Sequence, residues 1–386
     1  MMKKIVLKNN IVDRISFGAI VQIRDELLKL QREGKKVYRM ESGDPSFPIP
    51  AHVREAICEA LNDGKTHYTD STGIPELRNA IAEKLRKKNG IQGATSENVF
   101  VTNGGMNALY VVFRSLLSKG EKVVIPDPMW TEINEIIKLS DGKVVHMNYL
   151  DYKDIEKFGR HRDARAIFIN SPHNPTGKVL SKNEIRNIID FAERNGIFIV
   201  SDEAYEDVIF DGREHFSPGS EYENTVSLFS MSKSYAMSGL RIGYIHVGNE
   251  KIKERIKKML RVTINGVNSA TQYGALAALK GPQDIVEQMR NEYQKRRDII
   301  YEGVKHSSLL DPVFPEGTFY LWARIKRYPD GVKDEWGMSE YILKKTNIGS
   351  TPGPVFGRRG KRHIRFAFST NTDDVKEAAE IISEKL

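Results

Sequence analysis

Short apolar runs alternate with amphipathic segments through the middle of this 386-residue chain. Apolar residues at three- and four-residue spacing, as at Leu109, Val112, Phe113 and Leu116, indicate helices between the runs. Strands that alternate with helices predict an α/β fold with a mostly parallel sheet and helices on both faces. Seven runs are the strand candidates of this sheet: residues 99–101, 123–125, 144–145, 166–169, 197–200, 226–229 and 244–247.

The two ends of the chain show a different pattern. A helical pattern at residues 20–31 stops at Gly34, and a long helical pattern begins near residue 282. Strand-like residues 319–322 and 363–368 and a last helix follow. We therefore expect a large domain at residues 45–281 and a smaller α+β domain built from residues 1–44 and 282–386. Two domains are also the natural expectation for this length.

Composition excludes several classes of protein. No stretch of 18 apolar residues is present, so we expect no membrane span. The first residues lack the apolar run of a secretory signal, and we expect a cytoplasmic protein. The single cysteine, Cys58, rules out an intramolecular disulfide and a multi-cysteine metal site. Its helical spacing with Leu61 predicts a packed thiol, and we expect no bound metal.

The net charge of +8 is spread along the chain instead of forming one basic stripe. The stripes and motifs of known nucleic-acid readers are missing, and we expect no nucleic-acid partner. A basic field of this kind would also attract small anionic substrates.

Polar residues follow four of the strand candidates. In an open parallel sheet, ligands bind beyond the carboxyl ends of the strands, so these residues should meet at one place. They are the segment 103–106, Asn174, Asp202 with Tyr205, and the segment 230–233.

Lys233 and Asp202 indicate the chemistry of this place. Burial near a strand end lowers a lysine pKa and frees the amine, which can hold a carbonyl cofactor as a Schiff base. A buried carboxylate needs a partner, and a protonated pyridine nitrogen would be one. Taken singly, each has an ordinary alternative: a surface lysine beside a structural arginine, and an aspartate that caps a helix.

Other residues fit an aromatic, phosphorylated cofactor. Asn174 and Tyr205 could bond a phenolic ring oxygen, and Trp130 could stack on a planar ring. Gly105 opens a helix whose N–H groups could approach a phosphate. The alternatives are a plain turn for Asn-Pro-Thr-Gly and ordinary packing for the aromatic residues.

In combination these motifs are specific. Three segments follow one another along the chain: Asn-Pro-Thr-Gly at 174–177, Ser-Asp-Glu-Ala-Tyr at 201–205, and Ser-Met-Ser-Lys with Gly-Leu-Arg-Ile-Gly within 230–243. They have the order and about the spacing of one known enzyme family. The chain resembles the aspartate-aminotransferase (class I/II) family of fold-type I, pyridoxal-phosphate-dependent enzymes, from about residue 43 to 365.

The resemblance implies a role for each matching residue. Lys233 would bind pyridoxal 5'-phosphate and shuttle the proton, Asp202 would pair with the pyridine nitrogen, and Tyr205 and Asn174 would contact the ring oxygen. The phosphate would be held by Ser230, Arg241 and the backbone of Gly105 and Met106, and Trp130 would cover the ring.

The resemblance also implies how the substrate binds. Arg365 and a backbone contact at Gly43 would hold the α-carboxylate, with Asn174 and Trp130 beside it. Tyr68 would reach the phosphate in a partner subunit, which implies a homodimer with shared sites.

The implied reaction moves an amino group from an L-amino acid to a 2-oxo acid such as 2-oxoglutarate by a ping-pong mechanism. The donor would be aspartate, or an aromatic or other neutral amino acid, because Met106 stands where certain aspartate-acting relatives carry lysine. We expect Phe356 and Arg358 or Arg359 to border the substrate side chain. A β-eliminating lyase on the same fold, or a transcription regulator with an aminotransferase-like domain, are the alternatives.

Overall fold

Seven strands form the larger of two sheets in the computed structural model, which describes residues 10–15, 19–149, 151 and 154–386. The strand order is β1-β7-β6-β5-β4-β2-β3, and only β7 runs antiparallel to its neighbours. All seven strand candidates and the mostly parallel sheet are confirmed. The strands are β1 Val99–Thr102, β2 Lys122–Asp127, β3 Lys143–Asn148, β4 Ala166–Asn170, β5 Phe198–Asp202, β6 Thr225–Ser230 and β7 Gly243–Val247.

Helices cover both faces of this sheet. Alternate residues of each strand point to opposite sides, so apolar side chains on both faces are buried against helices. Phe100, Phe168 and Leu228 pack on the face with α4, α5 and α8. Val101 and Ile167 belong to the opposite face, with α2, α3, α6 and α9. The helices are α1 Ala19–Arg32, α2 Ala51–Asn62, α3 Pro75–Lys87, α4 Gly104–Leu116, α5 Glu132–Leu139, α6 Lys182–Asn195, α7 Met231–Ser234, α8 Glu250–Thr263 and α9 Ser269–Lys280.

A smaller antiparallel sheet of four strands lies in the C-terminal part, in the order β10-β11-β9-β8. The N-terminal segment joins it: Tyr38 bridges to Ile348, and the backbone N–H of Ala367 donates to the carbonyl of Met40 at 2.6 Å. An α+β unit built from both ends of the chain is thus confirmed, whereas its residue bounds stay a prediction. Its elements are α10 Asp284–Lys305, β8 Leu310–Val313, β9 Tyr320–Ile325, α11 Glu335–Thr346, β10 Thr351–Pro352, β11 His363–Ala367 and α12 Thr372–Lys385.

One expectation about packing is wrong. Cys58 is exposed on α2, because the buried face of that helix is formed by Val53 and Ala60 instead. No helix in the described ranges is long and apolar enough to cross a membrane.

The loop before β11 is fastened to the end of β2. The backbone N–H of Met129 donates to the carbonyl of Phe356 at 2.7 Å, and that of Arg359 donates to Asp127 Oδ1 at 3.1 Å. Gly357 has φ of 125°, and a Cβ there would lie 2.3 Å from Asp127 Oδ1, so only glycine fits. These contacts join the loop before β11 of the smaller sheet to the end of β2 in the larger sheet.

Candidate active site

A cavity of about 360 Å³ opens where the carboxyl ends of the parallel strands face the smaller sheet. Its volume lies within the range of about 300–1,000 Å³ that is usual for small-molecule sites. It brings together eleven residues that the sequence predicted: Gly43, Gly105, Met106, Trp130, Asn174, Asp202, Tyr205, Ser230, Lys233, Arg241 and Arg365.

Lys233 lies on α7, the single helical turn that follows β6. Its Nζ donates to the carbonyl oxygen of Gly43 at 2.8 Å. Burial is the main cause that lowers the pKa of Lys233 to about 8; Asp44 opposes this shift, and the guanidinium groups of Arg241 and Arg365 reinforce it. The amine is therefore largely neutral in mildly alkaline solution.

Asp202 ends β5, and its Oδ1 accepts a hydrogen bond from the backbone N–H of Ala204 at 3.2 Å. Burial raises the pKa of Asp202 to about 6, and the negative charge of Glu203 adds to the shift. The described residues offer its carboxylate no ion pair within 4.0 Å, although it lines the same cavity as Lys233. A carboxylate in this state would be stabilised by a cationic ring nitrogen.

The start of α4 and the residues after β6 form a polar corner. Gly104 has φ of 76°, and a Cβ there would lie 2.6 Å from Arg241 Nη2, so glycine lets the guanidinium approach the helix N-terminus. Arg241 is held by a bond from its Nη1 to the carbonyl of Ser238 at 2.6 Å. Ser230 accepts from the N–H of Ser232 at 3.3 Å. A helix N-terminus, an arginine and hydroxyls suit a phosphate.

Arg365 is a buried cation without a carboxylate partner among the described residues. It is 2% exposed, its Nη1 donates to Asn174 Oδ1 at 3.0 Å, and its Nη2 donates to the carbonyl of Glu41 at 2.7 Å. Its Nε has no hydrogen-bond partner there. The guanidinium carbon lies 4.2 Å from the ring centroid of Tyr320. A buried guanidinium with an unused donor beside the cavity fits a carboxylate ligand.

Four predicted residues lie elsewhere. Tyr68 is 92% exposed and borders a separate surface cavity, away from the cavity of its own Lys233. Phe356 does not line the cavity, and its ring centroid lies 4.7 Å from the guanidinium carbon of Arg365. Arg358 and Arg359 are exposed and do not line the site. The expectation that one of them borders the substrate side chain is corrected, because neither lines the cavity; the backbone of their loop is bound to Asp127.

Sequence reasoning missed several residues that line the cavity. Ser238 lies between Lys233 and Arg241, which it did predict, and Glu132 follows Trp130 by two positions. Glu41 and Tyr320 carry no motif of their own, and Tyr320 was expected only as part of a strand. The short spacing from Lys233 and Trp130 could have pointed to Ser238 and Glu132, whereas the positions of Glu41 and Tyr320 depend on how the smaller sheet packs.

Comparison with known proteins agrees with this arrangement. A family model described as aminotransferase class I and II matches residues 35–382. The chain belongs to this family. The protein is therefore an aminotransferase.

Individual relatives match over nearly their full length. A probable aspartate aminotransferase of Methanocaldococcus jannaschii is 37% identical over 89% of this chain and 91% of its own. A probable aspartate/prephenate aminotransferase of Aquifex aeolicus is 36% identical over 88% and 89%. The solved structure of a Thermus thermophilus aspartate aminotransferase double mutant superimposes with a TM-score of 0.91 at 32% identity, covering 99% of this chain and 100% of that one.

The lowered pKa of Lys233 can be tested on the protein freed of ligands. Trace acetylation at a series of pH values, followed by peptide mass spectrometry, should show Lys233 becoming reactive as pH rises through about 8. A lysine in an added unstructured peptide, with an ordinary pKa of about 10.4, is the reference. A Lys233 profile that coincides with the reference would show that burial does not act on this amine.

Proposed function

We propose that this aminotransferase works with pyridoxal 5'-phosphate and moves the amino group of an L-amino acid to a 2-oxo acid by a ping-pong mechanism. The observation that carries the proposal is a lysine amine with a lowered pKa and an unpaired aspartate carboxyl in one cavity, beside a polar corner suited to a phosphate. When bound, the cofactor supplies an aldehyde carbon and an electron-accepting pyridinium ring.

The residues of the cavity fit this cofactor from three sides. Asp202 would bind the ring nitrogen, which removes the cost of an unpaired, partly buried carboxylate. Arg241, Ser230 and the N–H groups at the start of α4 would hold the phosphate. Asn174 and Tyr205 would donate to the ring oxygen, and Trp130 would cover the ring face.

Lys233 then serves as the proton carrier. Its amine, with a pKa of about 8, is neutral often enough to take the α-proton of a substrate and acidic enough to return it. The carbonyl of Gly43 accepts from its Nζ and orients the amine. Arg365 would bind the α-carboxylate through its unused Nε donor, with Asn174 keeping the guanidinium plane in place.

Replacing Lys233 tests the core of this proposal. The Lys233→Ala variant should lose covalent cofactor, seen as loss of borohydride-fixed label and of the visible absorbance, and should lose turnover by at least about 10²–10⁴-fold. The exposed Lys119, replaced by alanine, is the matched control and should behave as the unaltered protein. Normal turnover of Lys233→Ala would refute the proposed role.

The donor is proposed to be an amino acid with a neutral side chain, aromatic residues included, with aspartate used less well. Met106, Leu109 and Met129 give one wall of the cavity an apolar surface, and Glu132 adds a negative charge. Among the described residues the cations of the lining are Lys233, Arg241 and Arg365, which all have other proposed tasks. A second carboxylate of the substrate therefore meets no dedicated cation in this lining.

A cation introduced at residue 106 should change this preference. Met106 is 42% exposed, so Met106→Lys can keep its charge solvated until substrate binds. We expect the ratio of kcat/KM for aspartate to that for phenylalanine to rise by about 10–100-fold, the effect of one charge-assisted hydrogen bond. Met106→Gln, of similar length without charge, should leave the ratio unchanged. An equal ratio in both variants would remove residue 106 from the substrate side chain.

The protein is also proposed to act as a homodimer in which Tyr68 reaches the phosphate corner of the partner subunit. Tyr68 and the 52% exposed Leu61 border the same surface cavity, of about 380 Å³, together with residues 264–270. A tyrosine that is almost fully exposed and an exposed leucine beside it suit burial against a second copy.

Mixing two variants tests whether sites are shared. Lys233→Ala and Tyr68→Ala subunits, mixed and allowed to exchange, should form hybrids in which one site has both native residues. Turnover at limiting cofactor should then exceed that of either variant alone. Lys233→Ala mixed with the Lys233→Ala/Tyr68→Ala double variant cannot form such a site and is the control. No recovery in hybrids that mass spectrometry shows to have formed would contradict the shared site.

A further inference from the structure

Tyr320 joins the two sheets at the wall of the cavity. It lies at the start of β9 in the smaller sheet and is 3% exposed. Its hydroxyl lies 3.0 Å from the hydroxyl of Tyr205, which follows β5 of the larger sheet, and the two rings meet edge to face. Both side chains line the cavity of Lys233.

Gly43, in the N-terminal segment of the chain, leaves room for the side chain of Tyr320. A Cβ on Gly43 would lie 1.9 Å from Tyr320 Oη and 2.6 Å from Cζ. Glycine at residue 43 therefore leaves the space that the ring of Tyr320 fills. The same Gly43 accepts the hydrogen bond from Lys233, so one residue positions both the amine and the phenol.

Counting protons shows what this contact can do. A phenol hydroxyl has one proton to donate, although its oxygen can accept more than one bond. If Tyr205 donates to Tyr320, its proton is used inside the pair. If Tyr320 donates to Tyr205, the Tyr205 proton is left to point toward a ligand in the cavity.

Arg365 favours the second arrangement. Its guanidinium carbon lies 4.2 Å from the ring centroid of Tyr320, and a cation at this distance makes the phenol a stronger donor. The Tyr320 hydroxyl forms no other hydrogen bond within the described residues, so Tyr205 is the acceptor available to its proton there.

We propose that Tyr320 is a positioning residue, which donates its phenolic proton to Tyr205 and thereby directs the Tyr205 hydroxyl at the ring oxygen of the cofactor. This inference rests on the proposed function, because it needs the cofactor in the cavity. It adds that the bond to the ring oxygen depends on a residue of the smaller sheet that makes no contact with that oxygen itself.

Binding to the ligand-free protein tests it. Calorimetric titration with pyridoxal 5'-phosphate should give Tyr320→Phe an affinity about 3–10-fold lower than that of the unaltered protein, the effect of one neutral hydrogen bond. Titration with 3-deoxypyridoxal 5'-phosphate, which lacks the ring oxygen, should give the two proteins equal affinities. A side chain that merely supports the wall would weaken both ligands alike.

Two further variants complete the cycle. Tyr205→Phe should lose affinity for pyridoxal 5'-phosphate, and Tyr205→Phe/Tyr320→Phe should lose no more, because Tyr320 acts through Tyr205. Tyr293→Phe is the matched control: it removes another buried phenolic hydroxyl, which has no hydrogen-bond partner within the described residues, and it should change neither titration.

The outcomes are distinct. Additive losses in the double variant, or equal weakening of both ligands by Tyr320→Phe, would overturn the inference while leaving the proposed function intact, and so would an unchanged affinity. Failure of the unaltered protein to bind pyridoxal 5'-phosphate through Lys233 would instead overturn the proposed function, and the role of Tyr320 with it.

Discussion

Charged groups held in one cleft without ion-pair partners are the constraint on which the site depends. Lys233, Asp202 and Arg365 line the same cavity, and none of them forms an ion pair within 4.0 Å in the described part of the chain. Taking such groups from water costs free energy that only a complementary charge can offset. A ligand with a cationic ring and a substrate with a carboxylate would supply the missing charges at Asp202 and Arg365.

The pKa shifts of Asp202 and Lys233 define the pH range in which this cost is greatest. The pKa of Asp202 is raised, so the folded chain loses stability as pH rises toward about 6 and this carboxyl ionises. The pKa of Lys233 is lowered, so the corresponding loss develops as pH falls toward about 8. Between about pH 6 and 8 both groups are charged, and both losses apply. A ligand that binds only the folded chain would add stability in that same window.

Sequence patterns were enough for the larger sheet and for part of the cleft. Its strands, apart from the partly exposed edge strand β3, are apolar runs buried on both faces. The polar residues at their ends must meet because parallel strands end at one edge. β8 and β10 escaped prediction, since the first contains Pro312 and the second has two residues. Glu41 and Tyr320 were missed for a related reason: their place in the cavity follows from packing between distant segments. Arg358 and Arg359 were misplaced because contacts of Asp127 and the positive φ of Gly357 orient their loop.

The smaller sheet therefore contributes more than a cover for the cleft. Arg365 lies on β11 and Tyr320 lies on the neighbouring strand β9. In this pair of strands Arg365 is opposite Trp322, which is two residues from Tyr320. Residues two apart on a strand point to the same face, so the guanidinium and the phenol ring meet on the cavity side. Across the cleft, Asn174 accepts from Arg365 and Tyr205 contacts Tyr320. Asn174 and Tyr205, which would bond the ring oxygen, are thus both hydrogen-bonded to the smaller sheet, which would bind the α-carboxylate through Arg365. A shift of the smaller sheet would therefore alter both contacts together.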